Sequence, residues 1–170
     1  ADGKTLYFSS DMPGGYGGFD LYKVTRTKAR WTSPVNLGKH INTDKNDVFP
    51  FIHDSGTLFF SSNGHNGQGG LDIYSVDLSN ENSKGVVINL GAPFNSQDDD
   101  LSLILNKEGT QGYFTSGRKG GVGKDDIYQF DAPNGLNNLG EKPMLNAQII
   151  VVNEATGERL PGAGVRIFEQ

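Results

Sequence analysis

Thr57-Leu-Phe-Phe-Ser-Ser62 and, after a glycine-rich stretch, Leu71-Asp-Ile-Tyr-Ser-Val76 decide the fold of this chain, because the pair occurs three times. The earlier copy is Thr5-Leu-Tyr-Phe-Ser-Ser10 with Phe19-Asp-Leu-Tyr-Lys-Val24, and the later one is Gln111-Gly-Tyr-Phe-Thr-Ser116 with Asp125-Asp-Ile-Tyr-Gln-Phe130. The period is roughly 53 residues, which is typical of repeat architectures. The chain is therefore a series of similar units.

Each unit contains segments that are typical of β-strands. Asp47-Val-Phe-Pro-Phe-Ile52 and Asp100-Leu-Ser-Leu-Ile-Leu105 are apolar runs of strand length, and Asp54-Ser-Gly56 has the composition of the hairpin turn that follows the first of them. A weaker strand, at Val35 to Leu37 and again at Val86 to Leu90, ends in Asn-Leu-Gly. Because the sequence has no 3.6-residue periodicity, it predicts antiparallel sheets instead of a helical repeat.

Four antiparallel strands in each unit are typical of a β-propeller blade, so we predict an all-β fold containing a partial β-propeller. We expect about two and a half four-stranded blades: a first without its innermost strand, a complete second, and a third without a clear outermost strand. Such a set cannot close a ring, so we expect a piece of a longer protein. The predicted domains are propeller blades at residues 1–131, a turn-rich linker at 132–146 and the first strands of a β-sandwich at 147–170.

Composition excludes several classes of function. The chain of 170 residues has 15 Lys and Arg against 20 Asp and Glu, a net charge of −5, and no basic cluster of the kind that binds a phosphate backbone. It has no Cys, which excludes disulfides and thiolate metal sites. Its three His are scattered, so we expect no zinc cluster and no cofactor.

Several blocks resemble the WD40-like repeat of PD40 and TolB-type propellers over residues 1–131. These blocks are Asp2-Gly-Lys-Thr-Leu-Tyr-Phe-Ser-Ser10, Gly17-Gly-Phe-Asp-Leu-Tyr22, Trp31-Thr-Ser-Pro-Val-Asn-Leu-Gly38 and Asn46-Asp-Val-Phe-Pro50. The tail, at residues 151–165, is similar to the first strands of carboxypeptidase-regulatory-like domains. This order of domains resembles the OmpA-family periplasmic proteins of Bacteroidota.

The resemblance implies a non-catalytic periplasmic scaffold that is associated with the outer membrane. Its implied partners are proteins of an outer-membrane or periplasmic assembly, such as the type IX secretion and gliding machinery. Peptidoglycan binding in that family belongs to a terminal domain that is absent from this sequence, so it is assigned to no residue here.

Propeller topology predicts where binding residues lie. The glycine-rich loops 11–19, 63–71 and 117–125 and the loops 38–46 and 91–99 should emerge on one face, and loops on a rigid scaffold often carry recognition. The residues that we expect to be exposed there, as candidates for binding, are Tyr16, His40, His65, Asn66, Phe94, Gln97, Arg118 and Lys119. The alternative is that these loops are only solvated connections.

Aspartates recur in every unit. Asp20, Asp72 and Asp126 follow the glycine-rich loops, and Asp47 and Asp100 begin the apolar strands. Clustered oxygens can bind Ca²⁺. We favour a structural role and no metal, because an Asp beside such a loop typically accepts backbone N–H bonds and stabilises the turn.

Catalytic motifs are absent, and we predict that the protein is not an enzyme. One alternative is a propeller glycoside hydrolase, which needs a pair of carboxylates. Against it, the acids recur in register from unit to unit, whereas a catalytic pair should be unique. The other alternative is a TolB-like or sugar-binding sensor.

Overall fold

A computed structural model describes residues 3–79 and 85–136 of the chain. In these ranges the secondary structure is entirely β, and none of the described segments is a helix that could cross a membrane. The strands are β1 (Thr5–Ser10), β2 (Asp20–Thr25), β3 (Val35–Asn36), β4 (Asp47–Ile52), β5 (Thr57–Ser62), β6 (Asp72–Asp77), β7 (Ile88–Asn89), β8 (Asp100–Leu105), β9 (Gln111–Ser116) and β10 (Asp126–Asp131).

The strands form three antiparallel sheets in which chain neighbours pair. Sheet 1 has the order β1-β2-β3, sheet 2 has β4-β5-β6-β7, and sheet 3 has β8-β9-β10. The all-β prediction is confirmed. The three sheets have three, four and three strands, and no further strand pairs with β10 within the described ranges.

Short turns close the hairpins between β4 and β5 and between β8 and β9. Gly56 and Gly109 have φ values of 92° and 72°, which a residue with a side chain rarely adopts. Phe49 and Ser102 also have positive φ, at 54° and 52°, where the pairing register shifts in β4 and β8. The sequence did not predict these bulges, because neither residue type favours that conformation.

Two hydrophobic clusters join the sheets in succession. Leu58 and Phe60 pack toward sheet 1, where they meet Leu21. Phe59, the residue between them, points the opposite way and meets Leu103 of sheet 3. Side chains alternate across a strand, so β5 contributes to both clusters and every one of its residues is buried.

The sheets lie one after another along the chain: β4 packs against β1 and β2, and β8 packs against β4, β5 and β6. The described sheets do not close into a ring. Of the predicted linker, residues 132–136 are described: Ala132 N donates to Thr110 O, and Leu136 packs against the cluster between sheets 2 and 3. The rest of the linker and the predicted sandwich strands at 147–170 lie outside the described residues.

Candidate binding face

Hydrogen bonds connect the loops that precede β2, β4, β6, β8 and β10 into one continuous surface. We call this surface the loop face; it comprises residues 11–19, 38–46, 63–71, 91–99 and 117–125. Gly18 N donates to Lys45 O at 2.6 Å, and Asn63 N donates to Asn46 O at 3.2 Å. Farther along, Gly117 N donates to the Asp99 carbonyl at 2.9 Å. Each loop is therefore held by its neighbour.

The aspartates at the starts of β2, β6 and β10 accept hydrogen bonds from the glycine-rich loops. The Asp20 carboxylate accepts the Tyr16 N–H at 2.5 Å and the Gly17 N–H at 3.1 Å. Asp72 accepts the equivalent amides of Gln68 and Gly69, and Asp126 accepts that of Gly123. These contacts are those expected of aspartates that stabilise loops.

Three glycines allow the loops to wrap so closely around the carboxylates. An ideal Cβ at Gly15, Gly67 or Gly121 would lie 2.4, 1.9 or 2.0 Å from the nearest carboxylate oxygen. None of the three has a positive φ, so glycine is needed there for close approach and not for backbone conformation. At these three positions glycine is therefore a packing requirement.

Asp47 and Asp100, at the starts of β4 and β8, bind their own preceding loops. Oδ2 of Asp47 accepts from the Thr43 amide and hydroxyl, and Oδ2 of Asp100 accepts in the same way from Ser96. The two differ at Oδ1. That oxygen of Asp100 accepts from Arg118 Nη2 at 2.9 Å, whereas that of Asp47 is buried and has no partner among the described residues.

His65 and Arg118 lie one position apart in the repeat but have similar roles, His65 in the loop between β5 and β6 and Arg118 in the loop between β9 and β10. The His65 ring lies 5.1 Å from the ring of Tyr74, and its Nε2 is 2.8 Å from the Ile41 carbonyl oxygen. The Arg118 guanidinium lies over the Phe114 and Tyr128 rings and donates to the Phe94 carbonyl at 2.6 Å. Both side chains fasten a glycine-rich loop to the loop that precedes the first strand of the same sheet, and both are half-buried.

Phe94 departs furthest from the expectation of exposure, which the half-buried His65 and Arg118 also do not fully meet. It is buried, with 9% of its surface exposed, and its ring packs edge-on against Phe114 and Phe130 at centroid distances of 5.7 and 4.9 Å. The loop that carries it folds inward over the end of sheet 3. Phe94 thus belongs to the core and not to a binding surface.

The other five candidates are exposed on the loop face. They are Tyr16, His40, Asn66, Gln97 and Lys119. The Tyr16 side chain is 53% exposed, although its backbone amide is held by Asp20. The backbone carbonyl of Asn66 accepts from Asn89 Nδ2 at 3.1 Å, and the side chain of Asn66 is exposed to solvent. These side chains project from a backbone that internal hydrogen bonds hold in place.

Two asparagines that we did not select as site residues join neighbouring sheets. The Asn42 side chain accepts from Leu21 N at 2.8 Å and donates to Leu21 O at 3.0 Å, so that its amide pairs with the backbone as a strand would. Asn95 does the same to Ile73, at 2.7 and 2.9 Å. The signal was present in the sequence, because the two asparagines align at the same place in successive units.

Burial changes the acidity of one tyrosine below the loop face. Removal from water raises the pKa of Tyr74 to about 12, and the nearby Asp72 and Asp47 carboxylates act in the same direction. Asn89 lies beside the hydroxyl and opposes the rise in pKa without completing a hydrogen bond. The hydroxyl oxygen is buried and has no hydrogen-bond partner among the described residues. Tyr74 is therefore a neutral core residue at physiological pH.

The arrangement offers little for chemistry on a substrate. Asp20, Asp47, Asp72 and Asp100 are each at most 1% exposed, so a substrate cannot reach their carboxylates. Within residues 3–79 and 85–136, no group of three or more His, Cys, Asp or Glu is placed to hold a metal ion.

No protein-family profile matches the chain. A search of curated proteins also finds no significant match.

Proposed function

We propose that this protein is a non-catalytic scaffold that binds other proteins through the loop face. The observation that carries the proposal is the continuous hydrogen bonding of five loops under a set of exposed polar and aromatic side chains. A surface that is ordered before binding loses less conformational entropy when a partner docks. Tyr16 supplies an exposed aromatic ring of the kind that is enriched in protein interfaces.

In the wider assignment that we propose, the sheets are blades of a PD40 or TolB-type propeller in a longer, OmpA-family periplasmic protein. The support is the fifty-odd-residue repeat, its four-stranded meander, and the face-to-face packing of consecutive sheets. The proposed setting is the periplasm at the outer membrane, with a type IX secretion or gliding assembly as the partner.

The burial of the carboxylates weighs against a glycoside hydrolase. Such an enzyme needs two carboxylates on either side of the bond that it cleaves. Here Asp20, Asp47, Asp72 and Asp100 are buried below the loop face, and the carboxylate oxygens of Asp20 and Asp100 accept hydrogen bonds from loop amides, Asn36 and Arg118. A sugar-binding sensor would use the same face for a glycan instead of a protein, so glycan binding by the purified chain distinguishes the two functions.

Site-specific photocrosslinking in the native host tests the proposal. A photoreactive residue at Tyr16 or Gln97, both on the loop face, should crosslink to a defined envelope protein. The matched control position is Glu108, exposed in the turn at the other end of sheet 3. The combined variant Tyr16→Ala, His40→Ala, Gln97→Ala should abolish capture at an unchanged melting temperature.

Three outcomes contradict the proposal. One is equal crosslinking at Glu108, and another is capture that survives the combined variant. The third is saturable binding of a glycan by the purified chain that the combined variant removes, which assigns the loop face to sugar recognition.

A further inference from the structure

Sheet 2, which packs against sheet 1 on one side and sheet 3 on the other, holds a row of buried polar residues below the loop face. Asp47, Ser62 and Asp72 lie in register on β4, β5 and β6. Paired residues point to the same face of a sheet, and so does Tyr74, two positions after Asp72. We call these four residues the aspartate row. Each is at most 2% exposed, so neighbours within the described chain already enclose it.

Sheet 3 contains the same row, and there a cation completes it. Asp100, Ser116 and Asp126 are in register on β8, β9 and β10. Oδ1 of Asp100 accepts from the Ser116 hydroxyl at 2.5 Å and from Arg118 Nη2 at 2.9 Å. Arg118 Nε also donates to Ser116 Oγ at 2.8 Å. The guanidinium therefore balances the charge of this buried carboxylate.

The aspartate row of sheet 2 has His65 in place of that guanidinium. The His65 ring packs on Phe60 and Tyr74, which are the counterparts of the two rings under the guanidinium in sheet 3. Its Nε2 lies 2.8 Å from the Ile41 carbonyl oxygen, so this nitrogen donates to the backbone. The ring makes no hydrogen bond to Oδ1 of Asp47.

Asp72 also has fewer donors than its counterpart in sheet 1. The two loop amides that it accepts both go to Oδ2. In sheet 1, Asn36 Nδ2 donates to the Asp20 carboxylate at 2.8 Å. The equivalent Nδ2 of Asn89 in sheet 2 donates to a backbone carbonyl of the glycine-rich loop instead. Oδ1 of Asp72 is left without a donor from the described residues.

Three oxygens of the aspartate row are therefore buried without a hydrogen-bond partner among the described residues: Oδ1 of Asp47, Oδ1 of Asp72 and the hydroxyl of Tyr74. An ideal Cβ at Gly67 would lie 1.9 Å from the Asp72 carboxylate and 2.9 Å from the Tyr74 hydroxyl, so these two groups are neighbours. Both carboxylates raise the pKa of that hydroxyl. Buried charges without a partner are costly, and three such oxygens in one place indicate a ligand.

We infer that the aspartate row of sheet 2 binds a divalent cation, and that Ca²⁺ is the ion that fits its chemistry. Two carboxylates carry two negative charges, which one divalent ion balances. The unpartnered atoms are all oxygens, the ligands that Ca²⁺ prefers, whereas Zn²⁺ favours nitrogen and sulfur. Mg²⁺ demands near-ideal octahedral geometry and loses its water reluctantly, so it is the weaker candidate.

The row contains two acids, and its other groups are the neutral oxygens of Ser62 and Tyr74. Affinity for Ca²⁺ rises with the number of charged ligands, so we expect a dissociation constant of about 10⁻⁴ to 10⁻³ M, as in extracellular calcium modules. The ion would do in sheet 2 what the Arg118 guanidinium does in sheet 3.

The cation would also join two loops of the loop face. Oδ2 of Asp47 accepts from the Thr43 amide in loop 38–46, and Oδ2 of Asp72 accepts from the Gln68 amide in loop 63–71. An ion bound by the other oxygens of the two carboxylates links those loops through their aspartates. The inference goes beyond the proposed binding of proteins, which does not require an ion.

Calcium titration of the whole 170-residue chain, freed of ions by a chelator, tests the inference. Addition of about 10 mM CaCl₂ exceeds the expected dissociation constant and should raise the melting temperature by at least about 3 °C. The same concentration of MgCl₂ should raise it less. Tb³⁺, a hard ion of similar size to Ca²⁺, should show saturable emission on excitation of tyrosine, since Tyr74 lies at the site, and Ca²⁺ should displace it.

An isosteric change at one carboxylate should remove the response. Asp47→Asn keeps the size of the side chain but removes a charge, so it should abolish the calcium-induced rise and weaken Tb³⁺ binding at least about tenfold. Asp20→Asn is the matched control, because Asp20 is equally buried and also accepts loop amides, but belongs to sheet 1. It should leave the calcium-induced rise unchanged, whatever its effect on the melting temperature without calcium.

A second variant keeps the test valid if Asp47→Asn does not fold. His65→Arg places a guanidinium over Phe60 and Tyr74, where it can reach Asp47 as Arg118 reaches Asp100 in sheet 3. It should raise the melting temperature in chelator and abolish the further rise with CaCl₂, because the added charge replaces the ion.

Four results overturn the inference. The first is the absence of both a calcium-induced rise and saturable Tb³⁺ emission, which leaves buried water as the partner of the three oxygens. The second is a rise that survives both Asp47→Asn and His65→Arg, which assigns calcium to exposed acids such as Asp44 and Asp99. The third is loss of the rise in Asp20→Asn, and the fourth is an equal response to MgCl₂. Failure of the loop-face crosslinks leaves these measurements unaffected, since they use the purified chain and the ion alone.

Discussion

Sheets 2 and 3 have nearly the same sequence pattern but different surroundings. The motif Asp-Ile-Tyr occurs in both, yet Ile73 is fully buried and Ile127 is 75% exposed. The difference lies outside the motif: β8 covers the far face of sheet 2, and no described strand covers the same face of sheet 3. Equivalent residues in a repeat therefore need not have equivalent energetic roles.

The largest difference in unfolding free energy should be between a substitution at Phe59 and the same substitution at its counterpart Tyr113. Phe59→Ala opens a cavity between sheets 2 and 3 and should cost about 3–5 kcal/mol of unfolding free energy. Tyr113→Ala truncates a half-exposed ring and should cost less than about 1 kcal/mol. Urea denaturation of both variants measures the contrast. Equal losses would mean that the open face of sheet 3 is covered in solution.

The next largest difference in stability should be between substitutions of the two side chains that fasten the glycine-rich loops. Arg118→Met leaves the fully buried Asp100 carboxylate without its cation and should cost about 2–3 kcal/mol. His65→Leu loses one hydrogen bond to a carbonyl and should cost about 1 kcal/mol. Thermal unfolding checks the order, and a larger loss for His65→Leu would contradict the assigned roles.

A smaller contrast is expected between two equivalent glycines. Gly69→Ala places a Cβ against the backbone of Asp98, which cannot yield easily, and should cost about 1–3 kcal/mol. Gly123→Ala meets only ordinary contacts and should change stability by less than about 1 kcal/mol. If Gly123→Ala is as costly as Gly69→Ala in the chain alone, the space beside Gly123 is already occupied.

The smallest effect at neutral pH should come from Tyr74→Phe. Its hydroxyl is buried and has no partner in the part of the chain that the structure describes, so its removal should change stability by less than about 1 kcal/mol at pH 7. At high pH the variants should diverge. The folded pKa of Tyr74 is about 12 against an ordinary tyrosine value of 10.0, so the unfolded chain releases the proton first. Stability that is fully present below pH 10 is therefore lost as pH rises toward 12.

Urea titrations between pH 9 and 12 compare the wild type with Tyr74→Phe. The variant should lose less stability over that range, because it has no phenol to ionise at this site. Identical alkaline losses in the two proteins would show that Tyr74 ionises as easily in the folded state as in the unfolded one.

Much of the fold was predictable from the repeat. The bounds predicted for β1, β4, β5, β8 and β9 agree with the observed strands, because period-two apolar patterns and turn residues act over short distances. The aspartates that would stabilise the glycine-rich loops were also recognisable, since Asx-type hydrogen bonds join residues three or four positions apart.

The candidate site was predicted less well. Phe94 looked like a loop residue, but its loop folds inward and its ring joins the core. The contact of Arg118 with Asp100 joins residues 18 positions apart, and that of Asn95 with Ile73 joins residues 22 positions apart. Such partners become neighbours only when consecutive sheets pack, so no local pattern could specify them.

The sequence by itself determined the strands, their order and their turns, since each depends on residues within a few positions of one another. Only the tertiary structure decided which copy of each repeated residue is buried, which carboxylate has a cation, and which sheet presents an open face. Those properties depend on whether another sheet packs alongside, and identical motifs acquire different environments according to the neighbours that they meet.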